Sequence, residues 1–368
     1  MSEKYVAVAM SGGVDSSVAA AILKKKGYWV IGLTMKIFGQ ANRCCSERDV
    51  EDARQVARIL GIPHEVVSLE KPFQDKVIAY FLSEYSRGRT PNPCAVCNPS
   101  IKFGDLLRTA RAMGARFFAT GHYARVRIAA SSGRVILRQG KEARKDQSYF
   151  LGRLTQENLC QTLFPVGAHS KSDIRALAHD FGLPVASKGD SQEVCFVRDG
   201  RVIDFVGNRS ETTFPEGPIM DRTGKIVGTH HGIAGYTIGQ RKGLGIALGR
   251  PVFVTKIDAE NNILFVGDDE DLFRIGFEGK DPLWVSIDAP KGPIRARVRI
   301  RHNHLPRSAV IFPSGDGSVQ VRFDEPERAI TPGQLAVFYD RDIVLGSAWI
   351  DRVFESEPFA GTDAPVVS

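Results

Sequence analysis

Long apolar runs are missing from this 368-residue chain: nowhere do eighteen apolar residues follow one another, which excludes an ordinary membrane-spanning helix. The apolar start at 5–9 is only strand-length and breaks at Gly12, unlike the core of a secretory signal, so a cytoplasmic protein with no membrane partner is expected. Cysteine is sparse as well. Six residues (Cys44, Cys45, Cys94, Cys97, Cys160 and Cys195) do not make a disulfide scaffold in a chain of this size, and they are expected as reduced thiols, metal ligands or catalytic groups. No second Cys-x-x-Cys accompanies the pair Cys94 and Cys97, which argues against a four-ligand zinc site. A GxxxxGK[ST] loop is absent too, so no P-loop lysine is at hand for a triphosphate.

The composition that remains is globular, with 43% hydrophobic and 25% charged residues, and the length suits two to three domains. Forty-nine Lys and Arg against forty-two Asp and Glu leave a net charge of +7, a background that suits a polyanionic partner without requiring one. The first third alternates strand patterns at 5–9, 29–34, 64–68 and 117–120 with helical patterns at 16–26, 48–60 and 101–113. Such alternation predicts an α/β domain with a parallel sheet covered on both faces. A β excursion is expected at 121–150, and a helix at 171–181 behind a Ser170 cap. These elements form an expected first domain at 1–205. A glycine-crowded stretch then predicts a small mixed domain at 206–280, short alternating strands predict an all-β barrel at 281–356, and a loose tail is expected at 357–368.

The sharpest motif is Ser11-Gly12-Gly13-Val14-Asp15-Ser16-Ser17, between a strand and a helix. Its glycines allow a turn that exposes backbone N–H groups, and the helix that follows presents its positive end to an anion. The bland alternative is an unliganded strand-to-helix connection. Cys94 and Cys97 follow two prolines, and Cys195 sits between Val194 and Phe196, where a thiol by itself reads as a buried structural one. Arg295, Arg297, Arg299 and Arg301 alternate with Ala296, Val298 and Ile300; a strand there would carry four guanidinium groups on one face, suited to phosphate tracking. The competing reading is a solvated barrel face balanced by Asp324, Glu325 and Glu327.

SGGVDSS resembles the PP-loop of ATP pyrophosphatases. With it, in order, come TPNPCAVCNPSIKFG at 90–104, GHYAR at 121–125, KDQSYFL at 145–151, DSQEVCF at 190–196, GYTIGQRKGLG at 235–245 and TPGQLAVFY at 331–339. Together they resemble the MnmA family of bacterial tRNA-specific 2-thiouridylases, over nearly the whole chain. The resemblance implies an enzyme that uses ATP to adenylate the C2 oxygen of the wobble uridine of tRNA and then replaces that oxygen with sulfur. It implies ATP around Ala9, Met10, Ser11, Gly12, Gly13, Val14, Asp15, Ser16 and Ser17, with Met35 and Gly121 at the nucleotide and Asp15 holding Mg²⁺. Cys97 matches the nucleophile and Cys195 the persulfide carrier, with a transient disulfide between them.

For the tRNA anticodon arm the resemblance implies Asn92, Pro93 and Cys94 around the target base, His122, Lys145, Asp146 and Gln147, then Arg299, Arg301, His302 and Gln334. A sulfur-donor protein, a cysteine desulfurase or a relay, is the second implied partner. One position departs from the best-known family pattern, which has aspartate where Cys94 stands. A rival expectation follows, in which Cys94, Cys97 and Cys195 hold three irons of a [4Fe–4S] cluster. A different class of reading is a PP-loop ligase that adenylates a small metabolite.

Overall fold

The computed structural model describes residues 4–37, 47–189, 194–197, 202–207, 209 and 214–354. Cys44, Cys45, residues 190–193 of the third cysteine motif and the expected tail at 357–368 lie outside those residues.

Five strands form the first sheet, in the order His64–Ser68, Trp29–Lys36, Tyr5–Ala9, Phe117–Thr120, Thr162–Leu163. All neighbours are parallel. Val6, Ala7 and Val8 are fully buried, as a strand covered on both faces requires. The order reverses at Tyr5–Ala9: the chain moves outward through the next two strands, then returns to lay Phe117–Thr120 on the other side, with Ala9 facing Thr120. At such a reversal the carboxyl ends of adjacent strands open a crevice, and both the Ser11–Ser17 turn and Gly121 emerge into it. Helix Val14–Lys25 follows the first strand; it is rich in alanine, has Asp15 in its first turn and ends with Lys24 and Lys25, a charge order that suits its dipole.

The central unit pairs Phe253–Asp258, Ile263–Gly267, Gly217–Met220 and Ile226–His230 in one sheet, over a small core of Ile219, Val254, Leu264 and Val266. Beyond it, Phe273–Trp284, Val319–Arg328, Arg307–Pro313, Ile294–Arg299, Leu335–Asp340 and Ile343–Val353 pair in turn, and the first pairs with the last to close a barrel. Its opening strand starts before residue 281 and crosses the point where the sequence suggested a division. The β excursion is a hairpin, Ala124–Ile128 with Val135–Gln139, and it extends the barrel's sheet rather than the parallel one: Arg138 pairs with Ile343. Arg125 and Arg138 both reach Asp342, at 2.9 and 2.7 Å, which fixes this seam.

The strand Ile294–Arg299 corrects the four-arginine face. Arg295 and Arg297 are exposed, and Arg295 pairs with Asp324 at 3.1 Å, as the balanced-surface reading expected. Arg299 turns inward at the end of the strand, 8% exposed. There the strand's alternation stops, and the buried carboxylate of Asp146, 3.1 Å away, claims the guanidinium.

Candidate active site

The Ser11–Ser17 turn is held by bonds among its own members. The Ser11 backbone N–H donates to Ser16 Oγ at 3.2 Å, and the hydroxyls of Ser16 and Ser17 donate to the Gly13 carbonyl at 3.1 and 2.9 Å. Gly12 sits at φ +69°, and a Cβ there would lie 2.3 Å from the Asp49 carbonyl oxygen, so no other residue fits. Gly121 meets the helix end from the neighbouring strand; its Cβ would fall 2.6 Å from the Ser16 backbone nitrogen. The turn therefore leaves the first-turn N–H groups of Val14–Lys25 facing the crevice, a seat for phosphate oxygens. Ala9 ends the strand below it, and Met10, Val14, Ser17 and Met35 are buried. Met35 packs into the main hydrophobic core, which is the gap-filling role of methionine.

The charge missing from the motif arrives from elsewhere in the chain. Lys171, first residue of helix Lys171–Asp180, donates from Nζ to both oxygens of Asp15, at 2.7 and 2.8 Å, and Tyr123 Oη donates to the same carboxylate at 2.7 Å. Lys188 donates to the Gly12 carbonyl at 3.0 Å and to Asp49 and Asp52 at 2.8 and 2.6 Å. These carboxylates hold the Lys188 ammonium above its ordinary range despite its desolvation. Both lysines escaped the sequence reading. A lysine in the first turn of a helix, against the dipole, was the one signal for Lys171; nothing local marked Lys188. With both oxygens bonded to an ammonium, Asp15 is not disposed as a ready Mg²⁺ ligand.

The cysteine pair lies on the short helix Pro93–Cys97, which continues into a wide-turned stretch Asn98–Leu106 and then Leu107–Ala112. Cys94 and Cys97, three residues apart, share one side of that turn. Asn92 caps the helix, its Oδ1 accepting from the Ala95 N–H at 3.2 Å. Cys97 and Cys195, both half-buried, pack against one and the same core, which includes Phe73, Phe81, Ala95 and Phe196. Phe196, next to Cys195, meets Phe81 of that core edge-on at 5.0 Å. Among the described residues no group of three or more His, Cys, Asp or Glu side chains is arranged to hold a metal ion. The three-thiolate cradle of the cluster expectation thus finds no support in the geometry.

Several residues expected at tRNA are engaged within the fold. Asp146, 1% exposed, accepts from the backbone of Gly140 and Ser148, from the Ser148 hydroxyl, from Gln139 and from Arg299. Gln147 Oε1 accepts from the Tyr123 N–H at 3.0 Å. Gln334 donates to the carbonyls of Thr90 and Pro91, both at 3.0 Å. His122 is buried, with Nδ1 2.7 Å from the Thr120 hydroxyl, and burial followed by the charge of Lys102 pushes its pKa well below the usual value. His302 stacks on Phe150 at 4.5 Å and is likewise lowered, by burial first and then by Arg299. Lys145 and Arg301 are half-exposed, and Arg301 donates to the Ala329 carbonyl at 3.3 Å.

Comparison with known proteins places three domain families along the chain. Residues 4–199 match the family described as tRNA methyl transferase HUP domain, 203–268 the tRNA methyl transferase PRC-barrel domain, and 274–350 the aminomethyltransferase beta-barrel domain. The chain is 46% identical over 355 residues to tRNA-specific 2-thiouridylase MnmA 1 of Caldanaerobacter subterraneus subsp. tengcongensis, covering 94% of this chain and 98% of that one. It is 47% identical over 358 residues to tRNA-specific 2-thiouridylase MnmA of Acetivibrio thermocellus, covering 95% of this chain and all of the relative.

Proposed function

Since the chain belongs to the bacterial tRNA-specific 2-thiouridylase family, we propose that it replaces the C2 oxygen of the tRNA wobble uridine, U34, with sulfur at the expense of ATP. The domain families are described by methyl transfer, yet the full-length relatives are thiouridylases, and a phosphate cradle on the same domain as Cys97 and Cys195 suits that chemistry. An amide-like carbonyl does not exchange oxygen for sulfur until the oxygen is made a leaving group. The uridine O2 attacks the α-phosphorus of ATP, pyrophosphate departs, and the base carries AMP on C2. The terminal sulfur of a persulfide on Cys195 then attacks C2 and AMP leaves. Cys97 as thiolate attacks Cys195 Sγ, cleaving the S–S bond and leaving sulfur on C2; the product is 2-thiouridine and a Cys97–Cys195 disulfide. A two-electron thiol reductant returns the pair to thiols, and a sulfur-donor protein reloads Cys195. The target base must leave its stack to reach such a site.

In this reading the parallel-sheet domain binds ATP and carries the thiols, the central sheet connects it onward, and the barrel, which opens with Phe273–Trp284, grips the anticodon arm. Lys171 and Lys188 supply positive charge beside the phosphate cradle. The observation that carries the proposal is the Ser11–Ser17 turn, whose glycines open the start of helix Val14–Lys25 to a phosphate, in a chain 46% identical to a thiouridylase over 94% of its length. Pyrophosphate release that depends on tRNA, together with 2-thiouridine in the nucleoside digest, is the expected result. Release that ignores tRNA would favour the metabolite ligase instead.

A further inference from the structure

The helix that carries Cys94 and Cys97 begins at Pro93 and runs on into Asn98–Leu106, so the turns that follow hold its far end. The placement of its first turn, whose N–H groups have no partners within the helix, must come from outside. The Leu335 carbonyl, on the barrel, accepts from Tyr149 Oη at 2.8 Å; Tyr149 Oη accepts from Asn92 Nδ2 at 3.2 Å; and Asn92 Oδ1 caps the helix at the Ala95 N–H. Tyr149 is fully buried and Asn92 nearly so, and both ends of the Asn92 amide are committed to this path. A second path runs beside it. The Gly333 carbonyl accepts from Tyr80 Oη, which accepts from the Asn92 N–H, both at 3.3 Å, while the Thr90 N–H donates to the Pro332 carbonyl at 3.0 Å. Burial raises the pKa of both tyrosines, so each keeps its hydroxyl proton at any working pH.

We propose that Asn92 and Tyr149 are positioning residues, a strut through which the seat of the helix on the barrel sets the direction of the Cys97 thiol. This rests on the reading of Cys97 as the nucleophile. Asn92 then acts on the target base through the helix it caps, rather than by offering its own amide. Tyr149 cannot act by touching RNA, because none of it is exposed.

The test uses the full chain as Tyr149→Phe, which removes one oxygen, and as Asn92→Ser, which keeps a capping hydroxyl but cannot reach Tyr149. Iodoacetamide labelling at Cys97, resolved by peptide fragmentation, and steady-state thiolation are measured beside thermal melts. In each variant kcat for thiolation falls about tenfold and Cys97 labelling speeds up about threefold, with KM for tRNA and tRNA-dependent pyrophosphate release within about twofold. The double variant is no worse than either single one, because the two bonds act in series. A lowered melting temperature with unchanged kcat and unchanged Cys97 labelling would overturn the proposal, as would losses that add in the double variant. If the wild-type protein makes no 2-thiouridine, the proposed function fails, and the labelling ratio still reads the strut. Should Tyr149→Phe not fold, Asn92→Ser gives the same readouts.

Discussion

The phosphate cradle and the cysteine helix sit on the same domain and are built in opposite ways. Ser11 to Ser17 bond to one another, and two glycines set the path. Pro93–Cys97 relies on Asn92, Tyr80, Tyr149 and Gln334, with their partners on the barrel. The path of a turn closed by its own residues is set locally, even though Lys171, Tyr123 and Lys188 pair its charges from afar, whereas a propped helix start reports on whatever props it. That contrast predicts which substitutions separate the two half-reactions.

Cys97→Ser and Cys195→Ser lie at the large end. Each is expected to lower 2-thiouridine by about a thousandfold or more, while tRNA-dependent pyrophosphate release and tRNA binding stay within a few fold. Product retained in either variant, seen by mass spectrometry of the nucleosides, would remove that thiol from the reaction. Gly12→Ala is the converse experiment. The left-handed backbone alone costs about 1–2 kcal/mol with a side chain, and the added methyl group collides with the Asp49 carbonyl. Pyrophosphate release is expected to fall about a hundredfold with Cys97 labelling unchanged; a change in labelling would show that the two regions are not independent.

Smaller in its effect on turnover, but large in stability, is Arg299→Met. It strands the buried carboxylate of Asp146, whose side chain is 1% exposed, and should lower unfolding free energy by about 3–5 kcal/mol in urea titrations. Arg297→Ala, on the exposed face of the same strand, should leave stability unchanged and reduce the salt slope of tRNA binding by about 1; an unaltered slope removes Arg297 from the RNA contact. The gentlest test is pH. Burial holds His122 well below its unfolded value of 6.5. The unfolded chain therefore binds the proton first, so the stability that depends on neutral His122 is complete above about pH 6.5 and is lost as pH falls below it. Melting temperatures should begin to drop there, before the carboxylate range, and His122→Gln should flatten that decline.

The same contrast explains what could be read from the residues alone. The turn after Tyr5–Ala9, the helix behind Ser170 and the alternation of strands and helices are local patterns, and they stand in the structure as the sequence implied. Four alternating arginines also looked local, yet the strand ends at Arg299 and a carboxylate from a distant loop decides where that side chain goes. Lys171 and Lys188 reach the cradle from far along the chain, and Gln334 turns out to bond the approach to Cys94. Periodicity carries no record of such pairings. They depend on how the barrel and the parallel sheet meet.

The hairpin Ala124–Ile128 and Val135–Gln139 has a consequence for biosynthesis. Its second strand, Val135–Gln139, pairs on one side with Ala124–Ile128, and its other edge meets Ile343–Val353, the last strand described. While the ribosome is still making the barrel, that edge stays uncovered, with backbone donors and acceptors open to any passing strand. A nascent or truncated chain lacking the final strand would carry a sticky border that the finished enzyme hides, and chaperones or proteases could tell the two apart by it.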